Sequence, residues 1–305
     1  MPKSLKIYIF LLVLIFIGII WADATKERPI DWRESYSLNE KIPFGLYVFN
    51  QEHKAIFKPQ TVEKFSESPY EFLDKNYNTY DSIYDIEGTI LLIQNKAAID
   101  EFSENELFYF ASHRNAIFYS NSNFSQKFAD SLGFEIEYSN DFADSLQFKI
   151  NRNQKAGNFY FNKGINTAYF SKIDSSKTEV LGTQINSKGE EFANFIKVKH
   201  LNGNFYLHLQ PVAFTNYYLL NKNSQYTEDI LGYIPSKSPI YWKVKQYDNE
   251  ELSSSPMRYL LSQPALKWAW FLAWIAFVIF MIFNAKRRQR VIPIIEPLKN
   301  TTIDF

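Results

Sequence analysis

The sequence predicts an α/β fold: a mostly parallel sheet with an added β-hairpin, flanked by two transmembrane helices. Three observations predict it. Short apolar runs alternate with helix-like stretches through the first half of the chain, the pattern of βαβ units. An Asn202-Gly203 pair, the strongest short hairpin signal, separates two alternating strands. Long apolar segments stand near both ends, each close to the roughly 20 residues that cross a bilayer.

The elements follow in chain order. Ile7 to Ala22 holds no charge, and Lys3 and Lys6 precede it. Two readings stand here: an uncleaved anchor with Trp21 at the interface, or a signal peptide cleaved near Ala22-Asp23-Ala24. Phe44 to Phe49 reads as a strand after Pro43, and Thr61 to Leu73 as a helix. Gly88 to Gln94 is a continuous apolar run, which marks a strand buried on both faces. Ser103 to His113 follows as a helix with Ser103 as N-cap and Glu106 completing a capping box. Ala116 to Tyr119 is a strand, and Ser125 to Leu132 is a helix stopped by Gly133. Phe134 to Tyr138, Leu146 to Ile150, Phe159 to Phe161, Ala168 to Ile173 and Thr178 to Ile185 complete the strands before the hairpin.

In the hairpin, a two-residue Asn202-Gly203 loop pairs Ile196 with Leu209, Val198 with Leu207 and His200 with Phe205. That register puts one face in the core and leaves Lys197, Lys199, Tyr206 and His208 on a wet face. Tyr217 to Asn221 and Thr227 to Gly232 read as helices, and Ile240 to Val244 as the last strand. The second apolar segment, 265–284, begins with Lys267 and the cluster Trp268, Trp270 and Trp274. The basic block Lys286, Arg287, Arg288 and Arg290 follows at once.

The chain therefore divides into an anchor or signal at 1–22, a domain at 23–264, a membrane helix at 265–284 and a basic tail at 285–305. By the positive-inside rule, Lys3 and Lys6 and the block Lys286 to Arg290 place both termini in the cytoplasm. The expected topology is a membrane crossed twice, with the main domain outside the cytoplasm. Charge agrees with that division. The whole chain has 33 basic and 33 acidic residues, which argues against nucleic acid as a partner. Residues 23–266 alone carry 25 basic and 31 acidic residues.

Motifs for chemistry are sparse. The chain has no cysteine, which removes disulfides and thiol nucleophiles. Its ten glycines form neither a dinucleotide fingerprint nor a P-loop, so no cofactor is indicated. His53, His113, His200 and His208 lack metal-ligand spacing. Asp100-Glu101, Glu190-Glu191 and Glu250-Glu251 read as solvated turns, because sequence neighbours face apart.

One order of short motifs carries a resemblance. Asp31-Trp32, Ser35-Tyr36-Ser37 and Lys41 to Tyr47 are followed by the Gly88 to Gln94 strand and the Asn202 to Pro211 hairpin arm. Phe214-Thr215-Asn216, Leu219-Leu220, Lys286 to Pro293 and Asn300-Thr301-Thr302 complete the order. It resembles the bacterial "domain of unknown function 4350" family in its Bacteroidetes form. The resemblance implies an amidotransferase-like (flavodoxin-like) sheet between membrane helices, a place in the bacterial inner membrane with the main domain in the periplasm, a setting near membrane proteins and a MoxR-type ATPase, and a longer cytoplasmic region than 285–305 supplies. Amidotransferase chemistry does not carry over, because it needs a cysteine nucleophile.

The expected function is a non-catalytic, membrane-anchored scaffold or binding module outside the cytoplasm, with the bilayer and an envelope protein as partners. Asp31 and Trp32 are the candidate contacts, since an exposed Trp anchors interfaces. The competing expectation for them is structural, a packed Trp32 and a turn at Asp31. The competing function is a cysteine-free envelope hydrolase built on a dispersed Ser or carboxylate.

Overall fold

A computed structural model describes residues 7, 10–12, 14–16, 18, 21, 30–96, 99–139, 145–151, 158–186, 188–221, 223–245, 260–261 and 264–284. It falls into two units, Met1–Asp248 and Asn249–Phe305. The first holds strands β1 (Val62–Phe65), β2 (Tyr77–Asn78), β3 (Ile83–Tyr84), β4 (Thr89–Ile93), β5 (Ala116–Ser120), β6 (Phe134–Tyr138) and β7 (Leu146–Ile150). Strands β8 (Phe159–Phe161), β9 (Ala168–Ile173), β10 (Thr178–Ile185), β11 (Glu191–His200), β12 (Gly203–His208) and β13 (Ile240–Lys243) follow. Its helices are α1 (Tyr47–Ile56), α2 (Pro69–Lys75), α3 (Glu101–Ser112), α4 (Gln126–Leu132), α5 (Asn216–Leu220) and α6 (Ser224–Leu231). The second unit holds α7 (Pro264–Asn284).

Eleven strands form one sheet in the order β1-β13-β4-β5-β12-β11-β10-β7-β8, with β9 joined to β11 and β6 to β9. The sheet is mixed, which corrects the mostly parallel, flavodoxin-like expectation. Only β1, β13, β4, β5 and β12 run parallel, in four pairings. The other six pairings are antiparallel. The physical reason lies in β6: it follows a helix, as a βαβ strand would, yet it pairs antiparallel with β9 at the margin. Strand direction is a nonlocal property that alternation cannot report.

Both faces of the sheet are covered. One core gathers Phe49, Phe118, Phe148, Phe195, Phe214 and Trp242, and the other gathers Leu107, Phe110, Phe128, Phe134, Phe205 and Leu207. The continuous run of β4 follows from this, since all five of its residues are buried. Local signals hold for α4 as well. Ser125 accepts from the Phe128 amide at its start, and Gly133 closes its end at φ 73°, a left-handed position that suits glycine.

Three local expectations are corrected. Phe44 to Phe49 is not a strand: α1 begins at Tyr47 and buries Phe49 and His53, one turn apart, against Trp242. Thr61 to Leu73 is not one helix, because Pro69 lacks an amide hydrogen and begins a new helix instead. A Ser68/Glu71 capping box starts α2 there, after the separate strand β1. Helix α3 is capped by Asp100, which accepts from the Ser103 amide, and not by Ser103 itself.

The hairpin register also moves by two residues. Ile196 faces Leu207, Val198 faces Phe205 and His200 faces Gly203, with Leu201 at φ 49° in the turn. The cause is Gly203. A side-chain carbon there would lie 2.1 Å from the Ala111 carbonyl and 2.3 Å from that of Asn115. The glycine serves close approach to the end of α3, and the turn falls one residue earlier. The shift preserves the faces, and Lys199 is exposed as expected, but Tyr206 and His208 on the same face are buried.

Among the described residues, one helix, α7, is long and apolar enough to cross a membrane. This corrects the expectation of two. Much of 1–22 lies outside the described residues, as do Lys3, Lys6, Lys286, Arg287, Arg288 and Arg290.

Candidate functional site

In sheets with parallel strands, ligands bind outside the carboxyl ends of those strands. Here those ends are Phe65, Lys243, Ile93, Ser120 and His208. The protein's own N-terminal segment meets the loops that leave them. Asn95, just past β4, donates from Nδ2 to Glu34 Oε2 at 2.6 Å. Lys96 Nζ stands 3.5 Å from the same oxygen. Ser122, just past β5, donates to Asn95 Oδ1, and Lys245, just past β13, donates to the Ser35 carbonyl. The segment is held in shape by two backbone bonds, Tyr36 N–H to Phe44 O (3.0 Å) and Leu46 N–H to Ser37 O (2.8 Å). Tyr36, Leu38, Phe44 and Leu46 then enter the core. Tyr36 takes φ 47°, a left-handed conformation a tyrosine adopts only when its surroundings enforce it.

At the carboxyl ends of β5 and β12 lies a buried polar network. Ser120 Oγ is 2.9 Å from His208 Nδ1, and His208 Nε2 is 3.1 Å from the Tyr226 hydroxyl. Asn194 Nδ2 donates to that hydroxyl at 3.2 Å. All four residues are fully buried. Burial pushes the His208 imidazole down to about 3, because the charged form loses its hydration. A general base works best near the operating pH, so this imidazole is a poor one. It bridges two hydroxyls, so both ring nitrogens are engaged without a carboxylate among the described residues, unlike in a Ser-His-Asp triad.

The neighbouring polar groups are likewise bonded to one another. Gln94 and Asn121 both donate to the Tyr119 hydroxyl, at 2.7 and 3.1 Å, and burial raises that phenol to about 12. Gln210 donates to the Asn166 carbonyl (2.7 Å) and accepts from the Asn166 amide (3.2 Å). Sequence patterning gave no access to this layer, because Ser120, Asn194, His208 and Tyr226 are 18 to 88 residues apart in their pairings.

The remaining candidates are dispersed. Trp32 is 38% exposed and packs at 5.5 Å on Phe44 and 5.4 Å on Tyr217, with Lys163 over its face. Asp31 is exposed, accepts from the Arg33 amide and lies 3.6 Å from the Arg33 guanidinium. The two are neighbours in space only through the chain. His53 sits on Trp242, His113 faces Ser82 and Tyr109, and His200 packs on Phe108, so the four histidines occupy separate places. Asp100 is spent on its cap, and Glu101 pairs with Lys127 at 2.6 Å. Among the described residues, no three His, Asp or Glu side chains are grouped to hold a metal. A cavity of about 510 Å³ lies between α1 and α6, lined by Val48, Glu52, Ile56, Thr227, Glu228 and Leu231. Neither Ser120 nor His208 lines it.

No protein-family profile and no curated protein matches this chain. Solved structures give distant likenesses. An exo-β-1,4-mannosidase from Opitutaceae bacterium strain TAV5 is 10% identical, with a TM-score of 0.38, over 63% of this chain and 39% of that one. A catalytic mutant of a GH42 β-galactosidase from G. stearothermophilus is 9% identical, with a TM-score of 0.34, over 67% and 37%. A cytoplasmic protein from Salmonella typhimurium is 10% identical, with a TM-score of 0.28, over 57% and 70%. The chain thus spans under half the length of these two glycosidases. Likenesses this slight assign neither a reaction nor a partner.

Proposed function

We propose that this protein is a membrane-anchored, non-catalytic scaffold or binding module of the bacterial envelope. One observation carries the reading: at the edge where a parallel sheet holds its ligand, the protein's own Glu34 and Ser35 bond to the residues just past β4 and β13, and the polar side chains at the ends of β5 and β12 bond one another. Helix α7 supplies the attachment to the bilayer, and the basic block after it sets that end in the cytoplasm. An envelope protein is the proposed partner, within the family that the motif order resembles. Asp31 and Trp32 remain the proposed contacts, Trp32 because over a third of its large ring stays open beside Asp31. The test is chemical cross-linking in native membranes, wild type against D31A/W32A. Loss of a specific partner supports the contact; an unchanged partner set removes both residues from that role.

A second reading, a cysteine-free hydrolase, has one observation in its favour, the 2.9 Å approach of Ser120 to His208. It requires that Ser120, which is 0% exposed, be reached by a substrate. A fluorophosphonate probe decides between the two. Covalent labelling of Ser120 in the full chain establishes the hydrolase reading, and an unlabelled Ser120 supports the module.

A further inference from the structure

Beside the edge strand β8 runs a groove of about 520 Å³, within the roughly 300–1,000 Å³ of small-ligand sites. Its described lining is Asn158, Asn162, Asn221 and Asn223 with four aromatic side chains, among them Tyr160 and Tyr217. None of these lining residues is charged or aliphatic, in a chain of which 22% is charged. An anion needs a cation to meet it, and none stands among the described lining residues.

The amides are preset. Asn223 Nδ2 donates to the Tyr160 carbonyl at 3.0 Å, and Asn221 Nδ2 donates to the Tyr217 carbonyl. The Tyr217 hydroxyl donates to Asn162 Oδ1 at 3.3 Å. Each amide is therefore fixed at one atom and keeps the other: an acceptor oxygen on Asn221 and Asn223, a donor nitrogen on Asn162. Tyr160 is 58% exposed, and its ring is the open apolar surface of the groove. Trp32 extends that surface, meeting Tyr217 edge-on.

A pyranose ring has what this lining lacks and needs. Its C–H faces are apolar and pack on aromatic rings, while its hydroxyls donate and accept at once, as side-chain amides do. We infer that the groove binds a neutral oligosaccharide. This goes beyond the scaffold reading and stands on the groove's own lining.

The experiment uses the full chain in detergent micelles and isothermal titration with hexasaccharides. The neutral probes are maltohexaose, cellohexaose, laminarihexaose, mannohexaose and N-acetylchitohexaose; hexagalacturonate is the anionic one. Saturable binding of a neutral hexasaccharide is expected, weakened at least about tenfold by Tyr160→Ala at unchanged circular dichroism. Asn158→Ala, which alters an exposed amide with no bond among the described residues, is the second variant should Tyr160→Ala misfold. Absence of binding by every neutral probe, binding of hexagalacturonate alone, or unchanged affinity in both variants overturns the inference.

Discussion

Tyr226→Phe removes one oxygen from the centre of the buried network and leaves the ring in place. The ring contacts with Phe148, Phe159 and Phe161, at 5.6, 5.2 and 5.1 Å, are retained. The loss is confined to the hydroxyl, which serves His208 Nε2 at 3.1 Å and Asn194 Nδ2 at 3.2 Å. Both groups are fully buried, so no water replaces it. A buried polar group left without a partner costs about 1–3 kcal/mol, and two are orphaned. The removed hydroxyl no longer has to be desolvated, which offsets about one of these. The net loss is therefore about 1–3 kcal/mol. At about 2–4 °C per kcal/mol for a domain of this size, the melting temperature falls by about 2–12 °C. Urea titration of the full chain in micelles, followed by far-UV circular dichroism, measures it. A change below about 0.5 kcal/mol, the range of an ordinary surface substitution, refutes the network as drawn.

Three further outcomes follow from the same structure. His208 is held well below its unfolded value, so the unfolded state binds more protons between about pH 3 and 6.5 and stability falls on acidification through that window. At pH 5 the His208 share is about 2 kcal/mol, and His208→Gln should flatten the slope of urea stability against pH; an unchanged slope counts against a neutral buried imidazole. Gly203→Ala sets a methyl group against two backbone carbonyls that cannot rotate away, and should cost at least about 2–3 kcal/mol by the same titration. A neutral G203A means that the hairpin end and α3 are not in contact. Val278→Lys places a charge within α7, at about 2.5–3.5 kcal/mol against insertion, so the protein should become extractable at alkaline pH, whereas full retention argues against α7 as the anchor.

How far these features were legible in the sequence depends on their range. Strand β4 and helix α4 were read correctly because the causes are local: a covered apolar run, a serine cap and a left-handed Gly133. Phe44 to Phe49 was misread because aromatic composition favours strands, while the packing of Phe49 and His53 on Trp242 comes from nearly 200 residues away. Gly203 was recognised as special for the wrong reason, since its use is close approach to Ala111 and Asn115 rather than the turn itself. His208 was assigned to a wet face because alternation describes one sheet face at a time, and α6 covers the other with Tyr226. Asp31 and Trp32 were visible as residues, but the partners of Trp32, Phe44 and Tyr217, were not.

The central claim is that residues 34–46 cover the sheet edge in the native protein. Hydrogen exchange at the Tyr36 and Leu46 amides tests it most directly, because these two donate to Phe44 and Ser37 within the covering segment. Exchange as slow as that of the β4 amides is the predicted result. Exchange at the rate of an unstructured chain, with β4 still protected, would leave the edge open and contradict the account.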